Sequence, residues 1–162
     1  MRTIEISMKK MSHIENVMGL WKEGFLTNED VIAWADQQIL IEDEPSEALM
    51  DLSVKGPEFC SKKPWYEFPS AKTFSFSESF ALRASKLDIE NNTEIECFIE
   101  WLIDASMCED LELPEVSFGY NVDHYAWNFQ LAIKYFKENI QELLPNCRDR
   151  ANSLGAQYLI KP

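Results

Sequence analysis

Apolar residues recur along most of this chain at steps of three and four, the spacing that lines one face of an α-helix. Ser12-His13-Ile14-Glu15 reads as a capping box, in which hydroxyl and carboxylate satisfy orphan amides at a helix start. Ile14, Val17, Met18 and Trp21 follow at helical spacing, and Gly24 suits the left-handed residue beyond the end. Thr27 is the next predicted N-cap. Glu29 and Asp30 lie in its first turn, where the helix dipole favours acids, and Val31, Ile32, Ala35 and Ile39 form the buried stripe. A third helix starts near Pro45, carries Ala48, Leu49 and Leu52, and stops before Gly56-Pro57. A fourth covers residues 77–87 with Phe80, Leu82, Ala84 and Leu87. The fifth is the clearest: Thr93-Glu94-Ile95-Glu96 is a second capping box, and Ile95, Phe98, Ile99, Leu102 and Ile103 give a one-sided apolar face. Beyond Pro114 the pattern predicts a long helix over 123–144, lined by Tyr125, Phe129, Ala132, Ile133, Phe136 and Ile140 and ended by Pro145. A short helix over 148–154 closes at Gly155.

Three stretches fall outside this pattern. Residues 3–8 alternate weakly, which predicts a short edge strand, and residues 157–160 read either as a strand or as a docked tail. Residues 56–73 are broken by Pro57, Pro64 and Pro69, with Trp65, Tyr66 and Phe68 between them. A loop of that length needs a reason: either its aromatics fold back onto the core, or it is a recognition loop. The expected architecture is all-α, one domain, a bundle of six to seven helices with room for short terminal strands.

Composition supports a folded helical chain. Ten Phe, five Trp and five Tyr supply apolar surface that disordered chains lack, and five Gly with seven Pro are too few for a fold built on many tight turns. No apolar run is long enough to span a bilayer, and the first residues lack the apolar core of a secretion signal. Cys60, Cys97, Cys108 and Cys147 form no C-x-x-C pair. The expectation is a cytoplasmic protein whose cysteines are unpaired apolar side chains.

Charge changes the picture more. Fifteen Lys and Arg face 28 Asp and Glu, for a net charge of −13. Such a surface repels nucleic acid and anionic membranes and attracts basic proteins. The acids are also clustered: residues 23–54 hold nine and residues 87–118 hold ten, and neither window contains Lys or Arg. Glu96, Glu100 and Asp104 fall at successive four-residue steps on the fifth helix, opposite its apolar face. Like charges so spaced cost about 0.2–0.5 kcal/mol per pair. A local rule broken without local gain marks either function or a surface selected for solubility, and the pattern leaves both open.

Catalytic signatures are missing. There is no phosphate-binding glycine loop, no G-x-S-x-G, no H-E-x-x-H and no EF-hand. His13 and His124 are the only histidines. Asp123-His124 is a poor acid–base pair, because adjacent helical residues point about 100° apart. The three carboxylates of the fifth helix span about 12 Å, too far for one ion. The expectation is therefore no enzyme, no metal and no cofactor.

The run Gly24-Phe25-Leu26-Thr27-Asn28-Glu29-Asp30-Val31-Ile32-Ala33-Trp34-Ala35-Asp36, with Pro45 and Leu49-Met50-Asp51-Leu52-Ser53, resembles small acidic helical immunity proteins of bacterial contact-dependent and polymorphic toxin systems. The resemblance covers about thirty residues and carries no catalytic motif. It implies a cytoplasmic inhibitor that binds a cognate toxin domain, often a basic nuclease; the charge argues separately against nucleic acid or membrane as partners. A helical adaptor of an unrelated pathway is the alternative, and an enzyme without a recognisable motif is the third reading. Candidate partner-binding residues are Glu42, Asp43, Glu44, Glu47, Glu96, Glu100, Asp104, Glu109 and Asp110, with Trp65 and Tyr66 as aromatic anchors. The oligomeric state stays open.

Overall fold

The computed structural model describes residues 2–159, with side chains from Met11 onward. Among the described residues the chain is all-α, with seven helices, a short 3₁₀ turn and no strand. It divides into two compact units, residues 1–73 with 154–162, and residues 74–153.

The first unit holds α1 (Arg2–Lys22), α2 (Asn28–Ile41), α3 (Glu47–Ser61) and the 3₁₀ turn Ala156–Tyr158. Residues 3–8 belong to α1, so the expected edge strand is absent and Ser12 lies inside a helix rather than at its cap. Ile4, Met8, Met11 and Ile14 step by four, three and three, which continues the helical period upstream. Gly24 takes φ +77°, and the Phe25 amide returns to the Leu20 carbonyl at 2.9 Å, closing α1 as its sequence predicts. Thr27 caps α2 in a true capping box with Asp30.

Helix α3 does not stop at Gly56-Pro57. Gly56 takes φ +83°, which bends the helix, and Pro57 sits where a new turn begins and its missing N–H matters least. The Lys63–Asp51 ion pair reaches back across this kink. Helices α2 and α3 form an antiparallel hairpin: the Ser53 hydroxyl donates to Asp36, and a Cβ at Gly56 would meet Ile32 at 3.7 Å. Val17, Leu20, Val31, Ala35, Leu52 and Cys60 have no exposed surface and form the centre of this unit.

The C-terminal tail docks here instead of forming a strand; Ile160, the last residue of that expectation, lies outside the described residues. Tyr158 is buried, its hydroxyl lies 2.8 Å from His13 Nδ1, and Asn16 donates to it at 3.2 Å. Trp34 meets the same ring edge-on at 5.9 Å. Gly155 leaves room for this docking, since a Cβ there would stand 2.7 Å from the Phe25 ring.

The second unit holds α4 (Phe76–Ser85), α5 (Asn92–Ala105), α6 (Pro114–His124) and most of α7 (Phe129–Gly155). Ser75 and Glu78 make the capping box of α4. Asn91, not Thr93, caps α5, because its carbonyl oxygen accepts from both Thr93 and Glu94 amides. Asn is among the strongest N-caps and outcompetes the downstream Thr. Residues 123–144 are not one helix. Pro114 opens the separate helix α6, and Asn128 accepts from the Gln130 and Leu131 amides to start α7. Pro145 does not end α7, nor is 148–154 a separate helix. Ala132, Phe136, Ile140, Leu144, Cys147 and Ala151 keep helical spacing across the proline and are all buried. That continuous burial outweighs the lost hydrogen bond. Phe136 is central, with the Phe98 and Phe118 rings both 5.3 Å from it.

Candidate functional site

The expected partner-binding residues fall on three elements of the fold. The first is α5. Ile95, Phe98, Ile99 and Leu102 are buried, while Glu96, Glu100 and Asp104 are exposed on the opposite face. None of the three acids enters an ion pair among the described residues. Asp104 lies in the last turn of α5, where the helix dipole disfavours an anion. The acidic surface continues into the α5–α6 turn, where Glu109, Asp110 and Glu112 are exposed around Met107 and Leu111. Gly119 packs α6 closely under this end of α5, since a Cβ there would sit 2.9 Å from Ser106 Oγ. Cys108 holds the turn at φ 65°.

The second place is the α2–α3 turn. Asp43, Glu44 and Glu47 are exposed. Glu47 lies in the first turn of α3, where the dipole stabilises it. Glu42 is half-buried and lines a cleft of about 80 Å³ with His13, Trp34, Gln38, Ser46 and Leu49. A second cleft, about 160 Å³, opens between Met18, Lys22, Cys60, Lys63 and Phe68. Both fall below the roughly 300–1,000 Å³ of ordinary small-molecule sites.

The third place follows α3. Phe68 folds back and is 4% exposed, while Trp65 and Tyr66 remain 79% and 70% exposed, edge to face at 5.8 Å. Of the three aromatics, only Phe68 therefore folds back onto the core. The acidic turn at Glu44 and the aromatic pair lie at opposite ends of α3, whose fifteen residues span roughly 20 Å. Charge is mixed at this end of α3: Lys55 and Lys63 stand 4.7 and 5.7 Å from the Phe59 ring, and Glu58 and Glu67 are exposed.

Several acids in the two windows have structural partners. Asp30 caps α2, Asp36 accepts from Ser53, Asp51 pairs with Lys63, and Glu115 accepts from Ser77. The hydrogen bond from Lys63 holds the Asp51 carboxyl below its usual range, and that carboxylate raises the Lys63 ammonium in turn. All four cysteines are free. Burial pushes the Cys60 thiol up, and Cys147 rises to about 11 through burial and the nearby Glu115 carboxylate. Cys97 and Cys108 are exposed.

Asp123 and His124 end α6 on the surface, with His124 edge-on to Tyr125 at 5.3 Å. Among the described residues no three His, Cys, Asp or Glu side chains gather as metal ligands, and no helix is long and apolar enough to cross a membrane. Large aliphatic residues that sequence reasoning left unmentioned are exposed on the α2–α3 hairpin: Leu40 at 86%, Val54 at 81% and Ile41 at 72%. No protein-family model, curated protein or solved structure matches this chain.

Proposed function

We propose that this chain is a protein-binding inhibitor of the immunity type, which neutralises a basic toxin domain by covering its cationic surface. The observation that carries the reading is the uncompensated acid stripe of α5. Glu96, Glu100 and Asp104 stand four residues apart, exposed and without ion pairs among the described residues, and Asp104 opposes the helix dipole. A helix under selection for stability alone alternates Glu with Lys at this spacing. A cationic partner turns the same repulsion into attraction. A nuclease-like toxin presents such a surface to phosphates, and an acidic protein competes for it. Complementary charge also speeds capture, which suits an inhibitor that must act before its target does.

The test starts from the neighbouring reading frames. A nuclease-like product of an adjacent frame, expressed alone, arrests growth, and co-expression of this chain restores it. The purified pair forms a complex whose association slows as salt rises, because the Debye length falls from about 10 Å at 0.1 M to about 3 Å at 1 M. Growth arrest that this chain does not relieve, or association indifferent to salt, rejects the reading.

A further inference from the structure

We infer that the outer seam of the α2–α3 hairpin anchors a basic protein segment through an aliphatic contact ringed by carboxylates. The inference rests on the inhibitor reading and names the chemistry of the partner surface. The Asp36–Ser53 hydrogen bond fixes the hairpin register. Leu40 lies one turn beyond Asp36 on α2. Met50 lies one turn before Ser53 on antiparallel α3, with Val54 beside it. These three residues therefore share one seam, and they are 86%, 49% and 81% exposed. A single exposed aliphatic needs no explanation, but three together across two helices form a patch of the kind that marks an interface.

Charge selects the occupant. Asp36 and Glu47 border the seam, Glu29 continues it along α2, and Asp43 and Glu44 close its end at the turn. Residues 23–54 contain no Lys or Arg to balance them. A second copy docking the same face would set these carboxylates against their counterparts, and an anionic membrane meets the same repulsion. A partner helix or strand with aliphatic side chains between Lys or Arg meets complementary chemistry at Leu40, Met50 and Val54 and at the carboxylates around them. Buried aliphatic anchors with a charged rim are the usual anatomy of such contacts.

The full-length protein is titrated with a fluorescently labelled amphipathic helical peptide bearing a leucine face bordered by lysines. Two control peptides replace every lysine with glutamate or every leucine with serine. Anisotropy at low salt should show binding of the leucine–lysine peptide only. The double substitution Leu40→Ser/Val54→Ser, at exposed positions that leave the fold intact by circular dichroism, should weaken it about tenfold. Glu96→Gln/Glu100→Gln/Asp104→Gln should weaken it less than the double substitution does, since those acids belong to α5 and not to the hairpin. Equal binding by the Leu40/Val54 variant, equal binding of the serine–lysine peptide, or no binding by the wild type overturns the inference. So does a concentration-dependent dimer in sedimentation that the same double substitution abolishes, because the occupant is then a second copy. Loss of growth protection with peptide binding intact rejects the inhibitor reading and keeps the surface, so the two failures are distinguishable.

Discussion

Two acid-rich, base-free stretches of this chain look alike in sequence and differ in structure. In α5 the division is complete: Ile95, Phe98, Ile99 and Leu102 face inward, and Glu96, Glu100 and Asp104 face outward. On the α2–α3 hairpin the same density of acids surrounds Leu40, Met50 and Val54, which the fold leaves outside. The first arrangement is an amphipathic helix whose charge does nothing for its own stability. The second puts apolar surface in water beside acids that are partly committed, Asp36 to Ser53 and Glu47 to the dipole of α3. Equal charge therefore has unequal meaning. On the proposed reading, the α5 stripe offers a basic partner long-range attraction, and the hairpin offers attraction with something to bury.

Six variants sharpen or break that contrast. Phe136→Ala, at the aromatic centre of the second unit, should cost about 3–5 kcal/mol in chemical denaturation, while Leu40→Ala should stay within about 0.5 kcal/mol. A large loss at Leu40 would make it a structural residue and remove the contrast. Gly155→Ala should cost about 1–3 kcal/mol, because its Cβ would press on Phe25 at 2.7 Å and Leu20 at 3.1 Å. A neutral result would show that the docked tail has slack.

The carboxylates should then separate by sign. Glu96→Gln/Glu100→Gln/Asp104→Gln should leave stability unchanged or raise it by a few tenths of a kcal/mol, about 0.2–0.5 per relieved pair. Glu47→Gln should lower it by about 0.3–1 kcal/mol at low salt, through loss of a favourable first-turn anion. Equal signs would mean that the two windows are one kind of surface. The smallest effect concerns Asp51, whose carboxyl Lys63 holds below its ordinary range. A lowered folded value means that the pair supports the fold above the ordinary carboxylate range, with the support lost as pH falls through the folded value. Asp51→Asn should flatten the acid limb of a stability–pH profile, and an unchanged limb would remove the ion pair from the account of the kink.

Helical class was legible because apolar residues at steps of three and four have one efficient way to be buried. Thr27 and Gly24 were legible as cap and terminator because each works through atoms a few residues away. The inward and outward faces of α5 followed from its period alone. What escaped the sequence depended on distant partners. Ser12 has the local chemistry of a cap, yet the helical period continues upstream and it lies inside α1. Pro145 has the local chemistry of a terminator, yet Cys147 and Ala151 stay buried past it. Trp65, Tyr66 and Phe68 look equivalent in sequence, and only packing buried the third. Leu40 and Val54 are as apolar as their buried neighbours Ala35 and Leu52, yet the fold leaves them outside. The sequence by itself determined the helices, most of their faces and the placement of charge, because these rest on spacing and short-range hydrogen bonds. The tertiary structure alone decided which breakers are overridden and which apolar side chains stay in water, because burial depends on surfaces brought together from far along the chain.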